Sequence, residues 1–163
     1  MDVIIQEVNH ALNAGLYYLS IMMALALPDI CAALESSNGE TTGQKYQAWC
    51  NKWVTRYPTL TSIDLYSMRC GVVHQGRYGH AKMQYARVLF TIPNINRNTF
   101  HNNVINDALN LDAVIFCRDM IESVGQWYAA KRNEPSVVAN LPLLVQFRDQ
   151  GLAPYMVGMP LIA

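Results

Sequence analysis

Acidic side chains are absent from the whole interval between Asp64 and Asp107. Charge is scarce throughout: 15% of the 163 residues are Asp, Glu, Lys or Arg, against roughly a quarter in an average soluble protein. With 52% hydrophobic residues, the chain has more apolar surface than it can hide alone, so a partner is expected: a homodimer or a larger assembly. Zero net charge excludes an overall electrostatic draw to nucleic acid or membrane. The four cysteines, Cys31, Cys50, Cys70 and Cys117, have no CxxC spacing and no close Cys/His pair of the kind a zinc site needs, and suit reduced core positions. Asp2 and Glu7 stand where a secretory signal would be basic. The longest nearly apolar run, Leu16 to Leu27, stops at Pro28-Asp29, short of the roughly twenty residues that span a bilayer. The expectation is a soluble cytoplasmic protein with no membrane span. GxxxxGK[ST], HExxH and GxSxG are also missing, as are paired carboxylates at helical spacing near a histidine, so no metal or cofactor is expected.

What is present is helical periodicity. Ile4, Val8, Ala11, Gly15, Tyr18, Met22 and Leu25 recur at alternating steps of four and three, which predicts one helix from Asp2 to Leu27. Pro28 suits the first position of a second, short helix, PDICAALES, ended by SSNG. Thr41 or Thr42 caps a third, with Tyr46, Trp49, Cys50, Trp53 and Tyr57 on one face and Pro58 as its stop. Such an aromatic stripe is core rather than a cofactor platform. Thr61 or Ser62 opens a fourth, with Leu65, Met68, Val72 and Val73 apolar, which closes at Gln75-Gly76. YARVLFTI, 85–92, reads as a strand bounded by Pro93 and PNINRN, with a hairpin partner near 99–105. Asp112 caps a last long helix carrying Val114, Cys117, Ile121, Val124 and Tyr128. Beyond Asn133, Pro135, Pro142, Pro154 and Pro160 punctuate apolar pieces too hydrophobic for a disordered linker. The fold class expected is mainly α: one domain, 1–163, an up-and-down bundle of four to five helices over 1–133 with room for a short β-hairpin. The Pro-rich tail, 134–163, would be draped over the bundle or over a partner subunit.

The acid-free interval holds Arg69, His74, Arg77, His80, Lys82, Arg87, Arg97 and His101. It reads either as a polyanion-binding region or as a solvated surface balanced by acids elsewhere in space. Arg69 and His74 are its sharpest pair. Five positions on a helix turn through about 140°, so the two side chains meet only if the helix ends near the histidine or a neighbouring chain completes the site. A cation at a helix C-terminus also suits the helix dipole with no further role. Arg77, Lys82 and Arg87 are candidate phosphate contacts, or surface charge. His80 and His101 have no acid or second ligand placed near them by the sequence, and His10, between Asn9 and Ala11 in the first helix, reads as a surface or partly buried hydrogen-bonding group.

The segment LYSMRCGVVHQGR, 65–77, resembles the R-x4-6-H motif of the HEPN superfamily, and the order of helices over 1–77 looks like that of HEPN-type proteins. The resemblance implies a metal-independent endoribonuclease, acting as a homodimer on RNA, of the kind found as toxins or in phage defence, with an antitoxin or other partner protein. It assigns Arg69 and His74 as the catalytic pair, brought together with their counterparts across a dimer cleft. The family commonly has Asn, Asp or His directly after the arginine, whereas this chain has Cys70, which cannot replace an amide or carboxylate as a hydrogen-bonding group. That departure opens the alternative of a noncatalytic HEPN-like module that binds nucleic acid, nucleotide or a partner protein.

Overall fold

The first apolar seam divides at Gly15 instead of Pro28. α1 (Asp2–Asn13) closes with Leu16 N–H on the Ala11 carbonyl (2.9 Å) and Gly15 N–H on that of Leu12 (3.1 Å), the paired bonds of a Schellman motif. The motif needs a left-handed residue, and Gly15 supplies it at φ 74°. α2 (Tyr17–Glu35) then runs through Pro28, which is buried inside the helix. A proline there removes a backbone donor and crowds the preceding turn. In that turn the buried Tyr46 hydroxyl donates to the Leu25 carbonyl (2.9 Å), so a side chain serves the backbone beside the missing bond. Tertiary packing supplies the rest: α2 lies against five other helices.

In this computed structural model the described residues are 1–78, 82–93 and 99–163, and the chain is mainly α, with small sheets. α3 (Gly43–Trp53) is capped by the Thr42 hydroxyl, which accepts from Lys45 N–H, and it ends four residues short of the expected stop at Pro58. α4 (Ser62–Gln75) opens with a capping box, Thr61 with Asp64, and closes at Gly76 in the left-handed region. β1 (Arg87–Thr91) lies where a strand is expected, but its neighbour is not the 99–105 segment. β2 (Asn103–Ile105) and β3 (Ala108–Asp112) form the hairpin, joined by Asn106 and Asp107, both at positive φ, as a two-residue type I′ turn requires. β1 pairs in parallel with β3, which is therefore the central strand. Asp112 then accepts from Val114 and Ile115 N–H, both at 2.9 Å, and starts α5 (Ala113–Lys131).

The core lies where α2 and α5 cross α3 and α4; Trp127, Tyr46, Phe116, Leu25 and Leu27 are its largest fully buried side chains. Each buried leucine or phenylalanine contributes about 1.5–3 kcal/mol relative to exposure. Phe116 joins the sheet to the bundle through edge contact with Phe90, 5.2 Å between centroids. α2 is also long and apolar enough to cross a membrane by length and composition, because the run does not stop at Pro28. Nine buried residues along it and five packed neighbours are how a core helix behaves.

The tail is only partly draped. α6 (Pro135–Asn140) packs on α2 and buries Val137, and Asn140 Nδ2 donates to the carbonyls of Leu34 (3.1 Å) and Ser36 (2.8 Å), closing the end of α2. A 3-10 turn (Leu141–Leu143) follows. The remaining strands are two residues each: β4 (Phe147–Arg148) pairs with β7 (Leu161–Ile162), and β5 (Gly151–Leu152) with β6 (Met156–Val157). Most apolar side chains of 143–162 face solvent.

Candidate functional site

α4 sets the site by where it stops. Arg69 lies near its middle and His74 in its last turn, before Gly76 at φ 64° reverses the chain and Arg77 N–H reaches back to the Gly71 carbonyl (3.1 Å). Near this terminus the long guanidinium can bend along the helix to the imidazole. Arg69 Nη1 lies 3.3 Å from His74 Nε2. A guanidinium only donates, so this contact requires Nε2 to accept and the ring hydrogen to sit on Nδ1. The imidazole is exposed, whereas the Arg69 side chain is 22% exposed.

Asp29 of α2 completes the arrangement. Its Oδ2 accepts from Arg69 Nε at 2.5 Å. Burial is the largest influence on both groups: it raises the Asp29 carboxyl above the ordinary carboxylate range despite the opposing charge and hydrogen bond of Arg69. On Arg69 burial acts against the charged form, but the charge and hydrogen bond of Asp29, helped by Cys70, outweigh it and raise the guanidinium. A guanidinium does not lose its proton in a protein, so Arg69 keeps its charge beside Asp29. Cys70 Sγ lies 4.0 Å from Arg69 Nη1. Tyr66, one turn earlier, has its hydroxyl raised first by Cys70 and second by burial. Asp29 borders a surface cavity of about 520 Å³ that Glu40, Thr41, Asn140 and Leu144 also line.

The interval without acids in sequence is therefore not without them in space. Asp29 faces Arg69, and Asp64 faces the backbone of residue 84. Asp64, 1% exposed, accepts from Thr61 N–H, the Thr61 hydroxyl, Gln84 N–H and Gln84 Nε2 at 2.7–3.2 Å. This pins the 82–86 segment to the N-terminal end of α4, on the order of 15 Å along the axis from His74 at 1.5 Å per residue.

The remaining sequence candidates are dispersed. Arg77 is exposed and turned onto Gln75 Oε1 (2.7 Å). Lys82 is exposed two residues before Gln84, and Arg87 is exposed at the start of β1. His101 is structural: its Nδ1 accepts from Asp112 N–H (3.1 Å), its ring lies edge-on to Tyr57, and burial lowers its pKa. His10 is exposed on α1. His80 and Arg97 lie outside the described residues. Among the described residues no group of three or more His, Cys, Asp or Glu is placed to share a metal ion. Asp29 is the neighbour of Arg69 that periodicity missed, although the sequence held a signal. It is the single Asp, Glu, Lys or Arg between Glu7 and Glu35, and an isolated charge in so apolar a helix needs a partner.

Compared with family models, curated proteins and solved structures, the chain matches none.

Proposed function

We propose that this protein is a HEPN-type endoribonuclease that cuts RNA without a metal, with Arg69 and His74 as its reacting pair. The observation that carries the reading is the 3.3 Å approach of Arg69 Nη1 to His74 Nε2 at an exposed helix end. On this reading α1–α5 correspond to the family's up-and-down bundle. Two copies bring their motifs together across one cleft, and the protein acts in the cytoplasm as a toxin or phage-defence component with a partner protein that restrains it.

The chemistry follows from the two side chains. An RNA phosphate draws the guanidinium toward its oxygens, in the planar fork geometry that arginine favours. That movement frees His74 Nε2, which takes the proton of a ribose 2′-hydroxyl. The 2′-oxygen bonds to phosphorus, the bond from phosphorus to the 5′-oxygen breaks, and the imidazolium of the second copy protonates the departing oxygen. A 2′,3′-cyclic phosphate and a 5′-hydroxyl result. Asp29 keeps its bond to Nε throughout, so Arg69 moves phosphate-ward with its stem anchored.

Labelled RNA incubated with the protein in EDTA tests this. Cleavage lost in both Arg69→Ala and His74→Ala, with RNA binding retained in the histidine variant, is the expected result; undiminished cleavage in either refutes the assignment. Two observations favour a second reading, a noncatalytic HEPN-like module for nucleic acid, nucleotide or a partner protein: Cys70 after the arginine, and the Asp29 carboxylate that offsets the site's charge. Binding without cleavage in the same assay supports it.

A further inference from the structure

The aromatic stripe of α3 does more than fill the core. Tyr46 and Cys50 are buried there, but Lys45, Trp49, Lys52 and Trp53 fall on one side of the helix at the spacing that makes side chains neighbours. Together with Ala32 and Glu35, at the end of α2, they line a surface cleft of about 310 Å³. None of these residues belongs to the Arg69 site. The three tryptophans of the chain are served unequally. The Trp127 indole donates to the Glu35 carboxylate, whereas Nε1 of Trp49 and Nε1 of Trp53 are buried without a hydrogen-bond partner among the described residues. Trp49 is 4% exposed and Trp53 is half-buried. An indole N–H only donates, and a buried donor without an acceptor is costly.

The charges around the cleft narrow the ligand. Lys45 Nζ is held by neutral acceptors, the Glu40 carbonyl (2.8 Å) and Asn38 Oδ1 (3.4 Å), and Lys52 lies over the Trp53 ring, 5.1 Å from its centroid. Among the described residues the ion pairs are those of Arg56, Arg69 and Lys131, so neither ammonium is matched by a carboxylate. Glu35, the one acid lining the cleft, is committed to Trp127. Indole walls alone would also take a cation, but two lysines repel one. Two ammonium groups against one carboxylate favour a ligand with a single negative charge. Aromatic walls pack against planar rings, and the volume is at the small end for a ligand cavity, which suits a body of one or two rings.

We propose that this cleft binds a small planar organic carboxylate. Its rings lie along Trp49 and Trp53, and its carboxylate lies between Lys45 and Lys52. Lys52 is exposed, so it turns from the Trp53 ring to the anion and opens that wall to the ligand. A carboxylate has lone pairs enough to accept from an ammonium and an indole N–H together, which answers the unmet donors. The proposal stands apart from the ribonuclease reading and is tested by binding, not by cleavage.

Isothermal titration calorimetry of the full chain at neutral pH with 2-naphthoate is the test, with the neutral isostere 2-naphthamide and inorganic phosphate as comparisons. One-to-one binding of 2-naphthoate is expected, about tenfold tighter than that of 2-naphthamide, with no binding of phosphate at the same concentrations. Lys52→Gln weakens 2-naphthoate about fivefold, and Trp53→Phe, which keeps a ring and removes the N–H, about threefold. Lys52 is exposed and Trp53 half-buried, so both variants keep the helical circular dichroism of the wild type. No binding of 2-naphthoate at millimolar concentration overturns the proposal. So does equal affinity for the amide, phosphate binding as tight as that of 2-naphthoate, or an affinity unchanged in Lys52→Gln.

Discussion

The two ends of α4 use a carboxylate in opposite ways. At the N-terminal end Asp64 is buried and fully occupied: the Thr61 backbone and hydroxyl and both Gln84 donors converge on it. Toward the C-terminal end Asp29 meets a guanidinium that is also engaged, among the described residues, by an exposed imidazole and a thiol. The first carboxylate has no valence to spare and fixes a loop. The second holds one nitrogen of an arginine and leaves the others within reach of solvent. Residue type does not separate these roles; what separates them is whether the hydrogen-bonding capacity is saturated by the chain itself.

That contrast can be broken by substitution. Asp64→Ala removes the carboxylate half of the capping box, leaving the Thr61 hydroxyl cap in place, and strands the Gln84 donors; a stability loss of about 2–4 kcal/mol is expected, read as a shift in urea midpoint. Arg69→Ala leaves Asp29 without its cation in a largely buried setting. Its expected cost is about 2 kcal/mol, between the exposed and fully buried limits for ion pairs. A larger loss than that of Asp64→Ala would invert the comparison and make the Arg69 end the structural one. Gly76→Ala forces a side chain into the left-handed region that closes α4, at about 1 kcal/mol, read as a shift in urea midpoint. His74→Ala changes stability by no more than about 0.5 kcal/mol, because its ring is exposed, and on the ribonuclease reading it abolishes cleavage.

The smallest effect is one of pH. Burial lowers the His101 pKa, so the folded state favours the neutral ring. The stability it contributes is fully present above the unperturbed value of about 6.5 and is lost as pH falls through the lower folded value. Thermal melts at successive pH values from neutral toward 5 are expected to show that decline. His101→Gln, which keeps an acceptor for the Asp112 N–H, flattens it.

Much of the helical half was legible because its signals are local. Thr61 with Asp64, Gly76, and Asp112 before an apolar seam are all cap chemistry that needs no tertiary information. The spacing of Arg69 and His74, together with Gly76, also allowed the two to meet. The break at Gly15 and the passage through Pro28 were illegible for the same reason: local propensity argues for a stop at the proline, and only the neighbours of α2, with Tyr46 on the Leu25 carbonyl, reverse it. β3 escaped because it is five residues long, carries Asn110 and Asp112 inside a short apolar pattern, and pairs with a strand that precedes it by about twenty positions. Asp29 escaped because an ion pair forty residues apart leaves no periodic trace.

Asn140 makes a concrete demand on the length of chain that can fold. Its amide serves carbonyls of Leu34 and Ser36 that the helix leaves without donors, so the first three dozen residues depend on an amide supplied more than a hundred positions later. A protease trimming inward from the exposed hairpins would meet little resistance until it reached that amide, and the smallest resistant fragment would keep it.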